Sequence, residues 1–235
     1  AISCAILALT ALMCLIWACC CSASAHTSAK LMPVKADSIA GALLLSITNV
    51  MLPAGSAVEG WHAVLSGLVM LQSPASKGRS SAFIGVPDGE WFGEGSAMKP
   101  EPRKYNVVAL RPTTLLCLPL PLFAMLRESS LAFNQFLVQH LNMRLGQAMT
   151  IIEAGRTQSP EHRVALYLSR LFWRSTRRLN LTQEELGQLV GLSRQTVNKV
   201  LRVLEGRGIV SLDFGRVAIV DDEALNAYLA ATAAQ

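Results

Sequence analysis

Two hydrophobic rhythms divide the chain. From about Val50 to Pro119, short apolar runs ("AVLSGLVML", "SAFIGV", "YNVVAL", "TTLLCLPL") alternate with turn-forming clusters: "LPAG" from Leu52, "SPASKG" from Ser73, "VPDGE" from Val86 and "KPEPRK" from Lys99. Short runs punctuated by Gly, Pro, Asp and Ser predict strands joined by tight turns, and hence a small all-β sandwich or barrel. The period then changes. Leu131, Asn134, Val138, Leu141, Leu145, Ala148 and Ile152 recur at alternating spacings of three and four, a heptad seam, with Ser129 or Ser130 placed to cap its start. The seam predicts a long helix ended by Gly155, which either pairs with another helix or lies along the β domain. An Asn in the seam would fix register if the helices pair.

Beyond Gly155 the segment "SPEHR" starts another helix: Ser159 as cap, Pro160 at the first helical position, Glu161 in the first turn, with Val164, Leu168, Leu171 and Phe172 as its buried stripe. Thr182, followed three residues later by Glu185, forms a capping box that opens a short helix burying Leu186, Leu189 and Val190. Gly191 stops it, Leu192 is a buried anchor in the turn, and Ser193 caps a second helix with Val197, Val200, Leu201 and Leu204 on one face. Two helices so close in sequence must cross at a large angle, and the small Gly187 permits the approach. The other face carries Arg194, Gln195, Asn198, Lys199 and Arg202, the residue types that bond base edges and phosphates in a major groove. Ser193 and Thr182, at the two helix starts, complete the candidate DNA-contacting set. The competing reading is an ordinary solvated face. The near absence of acids, the tight helical turn before it and two strands after it, Ile209 to Leu212 and Arg216 to Val220 joined at Asp213 to Gly215, favour a DNA-reading helix followed by a wing.

Charge agrees with that placement. The 235 residues suffice for two domains, and the net charge is +5. Between Glu161 and Arg207 nine Arg or Lys face four Glu, so the excess is concentrated around the helical pair. Five of the six cysteines crowd positions 4 to 21, which is no disulfide framework, and Cys117 in its Leu-rich run reads as a buried small hydrophobe. Residues Ala1 to Ala29 carry no charge. They read either as a membrane or targeting segment without a basic start, or as an apolar leader packed on the following domain. His26, His62, His140 and His162 show no metal spacing, and neither a nucleophile elbow nor a phosphate-cradling loop is present, so no enzyme is expected.

The run "LTQEELGQLVGLSRQTVNKVLRVLEGRGIVSLDFGRVAI" resembles the winged helix-turn-helix of the Crp/Fnr family of bacterial transcription regulators, and "LPAGSAVEGWHAVLSGLVML" with "PDGEWFGEGSAM" resembles, more loosely, its cyclic-nucleotide-binding β-roll. The resemblance spans about Leu44 to Leu229. It implies an α+β chain: an apolar leader (1–30), a jelly-roll-like β-roll (31–128), a dimerisation helix (129–156) and a winged helix-turn-helix domain (157–235). It further implies a cytoplasmic homodimer joined through Leu131, Val138, Leu141, Leu145, Ala148 and Ile152, bound to double-stranded DNA at a two-fold symmetric operator, with RNA polymerase as a further partner. Gln195 stands where many members carry Glu, so one base pair per half-site should differ from the commonest family site.

In the effector pocket the resemblance assigns Gly93 and Glu94 to a ribose hydroxyl and Arg103 to a cyclic phosphate, but Lys104 replaces the family's Ser, and Ala148 and Met149 replace hydroxyl residues that contact adenine. No cofactor is firmly implied. The pocket is open to cyclic AMP, to another small anionic effector, or to none, with Glu94 and Arg103 as an internal ion pair. Some relatives hold an iron-sulfur cluster on N-terminal cysteines, but the adjacent Cys19, Cys20 and Cys21 cannot all face one cluster. The rival function is a ligand-binding or membrane-tethered sensory protein whose winged domain makes protein contacts.

Overall fold

A computed structural model describes residues 43–47, 50–75, 80–99, 101–173, 178–213 and 216–233. The apolar leader and its five cysteines lie outside the described residues. The expected β sandwich is present as two four-stranded antiparallel sheets. One has the order β1 (Leu43–Ile47), β8 (Thr113–Pro119), β3 (Gly60–Ser66), β6 (Trp91–Phe92); the other has the order β2 (Val50–Leu52), β7 (Asn106–Ala109), β4 (Leu68–Gln72), β5 (Ala82–Pro87). The run "AVLSGLVML" supplies two strands because the backbone turns at Gly67, φ 111°, where any side chain would run into Thr113.

Strand β3 is covered on both faces, which explains its unbroken apolar run. Val64 joins the core between the sheets, while Trp61 and Ala63 face α2 (Leu120–Ser129) and α3 (Leu131–Thr157). There the Trp61 ring lies 4.3 Å from Trp91 and meets Phe123 and Phe133 edge-on at 5.6 and 5.9 Å. Cys117 is buried, as expected of a small hydrophobe.

The long helix is capped by Ser130, one of the two serines expected there, which accepts the Phe133 N–H at 3.2 Å, and it departs from expectation in two respects. Gly155 does not end it: the helix runs to Thr157, and the break comes where Pro160 forces extended backbone on Ser159. Asn134 is not free to set register across a partner, because its amide donates to the Arg127 and Ser130 carbonyls at 2.6 and 3.0 Å. Helix α3 buries Phe133, Leu137 and His140 against its own chain; of the heptad seam, Leu131 (74% exposed), Val138 (64%), Leu145 (60%) and Ile152 (54%) point outward, while Leu141 is half-buried against the core beneath the helix.

The next helix, α4 (Pro160–Leu168), is shorter than expected, so Leu171 and Phe172 lie in the turn after it, with Phe172 stacked on Tyr167 at 4.5 Å. Helices α5 (Gln183–Val190), α6 (Arg194–Gly206) and α7 (Asp222–Ala233) accompany a three-stranded sheet in the order β10 (Val210–Asp213), β11 (Arg216–Ile219), β9 (Arg178–Thr182). Among the described residues no helix is long and apolar enough to cross a membrane.

The two halves share one hydrophobic core. Leu189 of α5 lies over Gly85, its methyl 2.9 Å from where a Cβ would stand, and the Gly85 N–H donates to the Tyr167 hydroxyl at 2.9 Å. Arg111, in the β7–β8 turn, grips Glu185 with two bonds of 2.8 and 2.7 Å.

Candidate DNA interface and effector cavity

Local chemistry builds the helical pair as its sequence requires. Thr182 Oγ1 accepts the Glu185 N–H at 3.1 Å while Glu185 Oε2 accepts the Thr182 N–H at 2.7 Å, closing the capping box. Gly191, in the left-handed conformation, ends α5, and the Leu192 N–H returns to the Gly187 carbonyl at 2.9 Å. A Cβ on Gly187 would come within 2.9 Å of the Leu192 carbonyl, so only glycine allows this tight corner. Leu192 is half-buried rather than fully buried. Ser193 then accepts the Thr196 N–H at 3.1 Å and starts α6, whose Val197, Val200, Leu201 and Leu204 are buried.

Arg194, Gln195, Lys199 and Arg202 are exposed on α6, and Asn198 is half-buried. Arg202 pairs with Glu205 at 2.8 Å, and Glu205 also accepts the Leu212 N–H at 3.2 Å, tying the helix to strand β10. Several cations in the basic segment are structural. Arg163 donates to the Val190 carbonyl at 2.6 Å, Arg170 pairs with Asp222 at 2.7 Å, and Arg207 lies over the Tyr228 ring at 4.9 Å. The surface able to meet a nucleic acid is thus narrower than the charge count suggests and centres on the first two turns of α6. Thr182 and Ser193 lie at the starts of α5 and α6, their hydroxyls engaged in caps.

Sequence comparison bears on this geometry. Residues 162–228 match the Crp-like helix-turn-helix domain, and residues 49–130 match the cyclic nucleotide-binding domain. The chain is 31% identical over 173 residues to the cyclic AMP receptor protein of Thermus thermophilus, covering 70% of this chain and 77% of that one. This chain belongs to the Crp/Fnr family. It is a DNA-binding transcription regulator of that type. A CRP-like cAMP-activated global transcriptional regulator of Mycobacterium tuberculosis is 28% identical over 172 residues, covering 70% of this chain and 77% of that one. Among solved structures, FixK2 from Bradyrhizobium japonicum shares the fold (TM-score 0.68, 18% identity, 79% of this chain and 96% of that one). A CRP/FNR transcriptional regulator from T. thermophilus superposes with TM-score 0.59 at 25% identity, over 81% and 99% of the two chains.

A cavity of about 360 Å³ lies between the β-roll and α3. Of the six residues expected there, Gly93, Glu94, Lys104 and Ala148 line it. Arg103 lies behind Gly93, buried, with Nε and Nη1 lacking hydrogen-bond partners. Met149 does not line it and is 63% exposed on α3. Glu94 and Arg103 do not form the internal ion pair: Glu94 instead faces His140 of α3 at 3.6 Å, an ion-pair distance too long for a hydrogen bond. Burial alone would raise the Glu94 carboxyl, but His140 and then Arg144 outweigh it, and its pKa lies below the ordinary value. Arg144 pairs with Glu90 at 3.1 Å and donates to the Trp91 carbonyl at 2.7 Å. His140, Arg144 and Glu90, none of them singled out by sequence reasoning, therefore connect the cavity to the long helix.

Proposed function

We propose that this regulator acts in the cytoplasm as a homodimer paired through the outward seam of α3, with Leu131, Val138, Leu141, Leu145, Ala148 and Ile152 facing their counterparts. The observation that carries the reading is a long helix that buries one face at home and leaves an apolar heptad seam exposed, next to a recognition helix whose exposed turns carry Arg194, Gln195 and Lys199. A two-fold pairing places two α6 helices on a symmetric operator about one DNA turn apart. Arg194, Gln195 and Lys199 select sequence, with Asn198, Arg202, Ser193 and Thr182 contributing backbone and flanking contacts. RNA polymerase is the further partner that the family suggests.

The cavity takes a small anionic effector of the cyclic-nucleotide kind. Arg103, buried with its Nε and Nη1 lacking hydrogen-bond partners, supports the anionic end, since a buried cation calls for a counter-charge. Ala148 and Met149 offer no hydroxyl to a base, so any nucleobase would be held by shape and stacking rather than by hydrogen bonds from those positions. Such an effector acts only by binding one dimer geometry better than the other, and the Glu94–His140 and Glu90–Arg144 contacts are the route to α3. Sedimentation of the protein and of Leu145→Lys, with gel shifts in the presence and absence of cyclic AMP, tests this reading. A dimer that Leu145→Lys converts to monomer with loss of DNA binding is expected; a wild-type monomer that still binds a symmetric site would overturn it.

A further inference from the structure

Helix α3 carries a polar side chain that is wholly enclosed. Gln147 is 0% exposed, about one turn beyond Arg144 on the face turned toward the rest of the chain. Its Oε1 accepts from Arg144 Nη1 at 3.0 Å, and its Nε2 donates to the Leu171 carbonyl in the turn after α4. A guanidinium only donates and a backbone carbonyl only accepts, so one orientation of the amide satisfies both neighbours. A carboxylate would serve Arg144 but not Leu171, and an apolar side chain would serve neither.

Both ends of this bridge are anchored. On the roll side, Arg144 lines the cavity, pairs with Glu90 of the β5–β6 turn at 3.1 Å and donates to the Trp91 carbonyl at 2.7 Å. That ion pair is enclosed, with side-chain exposures of 12% for Arg144 and 13% for Glu90. On the winged side, the turn carrying Leu171 is held to Tyr167: Phe172 stacks on its ring, and Trp173 Nε1 donates to its carbonyl at 2.7 Å. The Tyr167 hydroxyl in turn accepts the N–H of Gly85, the residue beneath Leu189 of α5. Glu90, Arg144, Gln147 and the Leu171 carbonyl therefore form an unbroken polar chain from the roll, across α3, to the packing that supports α5.

We propose that Gln147 is the positioning residue through which the cavity wall sets the placement of the winged half. The inference carries the Glu90–Arg144 contact beyond α3, and its test needs neither an effector nor an operator, so it can fail while the effector reading stands. Displacement of the Arg144 guanidinium takes away the donor to Gln147 Oε1. The amide then follows the guanidinium or is left half-satisfied, and either way its hold on Leu171 changes. Enclosed hydrogen bonds are costly to leave unmade, so the chain responds as a unit rather than bond by bond.

Amide hydrogen exchange of the full chain, read by NMR at Phe172 and Trp173, tests this, because both amides are hydrogen-bonded to the Ser169 carbonyl within that turn. Glu90→Ala, made on the roll, is expected to speed exchange at these two amides roughly tenfold, the scale of one lost hydrogen bond. Gln147→Met, which keeps the bulk and removes both bonds, should do the same, and adding Glu90→Ala to it should change exchange by less than about twofold. Gln147→Glu, with an acceptor for Arg144 but no donor for Leu171, should match Gln147→Met at the turn. Amides of β11 should stay within about twofold of wild type throughout, which separates a local release from a general loss of stability. Wild-type exchange at the turn in Glu90→Ala would overturn the inference even if the Gln147 variants fail to fold. So would a Glu90→Ala effect that persists in full in the Gln147→Met background, or one shared equally by β11.

Discussion

Arg111→Ala is the sharpest probe of how the β-roll is joined to the DNA-binding half. The Arg111 guanidinium makes two bonds to Glu185, 2.8 and 2.7 Å, and the pair is largely enclosed, with side-chain exposures of 27% and 11%. Breaking a fully buried pair costs roughly 3 to 5 kcal/mol, mostly because one charge is left bare. Glu185 is not left bare, because the Thr182 N–H and hydroxyl still donate to it at 2.7 and 3.0 Å. The loss is therefore about 2 kcal/mol, the scale of two charge-assisted bonds partly offset by rehydration. Hydrogen exchange at the α5 amides, Gln183 to Val190, should accelerate roughly 30-fold in the variant. A double-mutant cycle with Glu185→Gln, which keeps a side chain able to complete the capping box, should return a coupling of about 1.5 to 3 kcal/mol that is little altered by added salt. A coupling below about 0.5 kcal/mol, the scale of exposed ion pairs, would refute the claim that this contact holds the two halves together.

Other consequences follow from single side chains. His62 is buried beside Arg103, and burial, then the Arg103 charge, depress its pKa to about 4. The unfolded chain takes up a proton near pH 6.5 that the folded chain refuses, so stability should fall by about 2 kcal/mol between pH 7 and pH 5 in urea titrations, and His62→Phe should remove most of that slope. A slope that His62→Phe leaves intact would assign it to other groups. Gly187→Val forces a side chain against the Leu192 carbonyl, 2.9 Å from the first added carbon, and should cost roughly 1 to 3 kcal/mol in thermal unfolding of the winged domain. Arg194→Ala should relax selectivity at one operator position by about 1 to 3 kcal/mol; an equal loss on every sequence would make it a phosphate contact.

Short-range rules carried most of the architecture. Capping box, Gly191 stop, Ser193 cap and the buried stripe of α6 all lie within a few residues of one another, so their chemistry is written locally and the helical pair is legible. The heptad seam of α3 is equally local, and Leu131, Val138, Leu145 and Ile152 on it are exposed. What escaped depends on distant partners. The segment "RLNLT" holds no strand pattern of its own and becomes β9 only by pairing with β11. Arg111 and Glu185 are 74 positions apart, and Glu94 meets His140 only because α3 folds back over the roll. Gly155 misled because glycine tolerates a helix interior at a cost of about 1 kcal/mol, while the actual stop was encoded by Pro160. In the cavity, the substituted Lys104 turns its ammonium to Glu101, and its neighbour Tyr105 lines the same cavity, a pairing no local motif announces.

Selection of bound sites from a pool of randomised duplexes, followed by affinity measurement across salt concentrations, tests the central claim that α6 reads DNA as one of a symmetric pair. The expected outcome is a two-fold symmetric consensus with half-site centres about 10 base pairs apart, bound with steeply falling affinity as salt rises. Recovery of no consensus, or of a single asymmetric half-site, would contradict it.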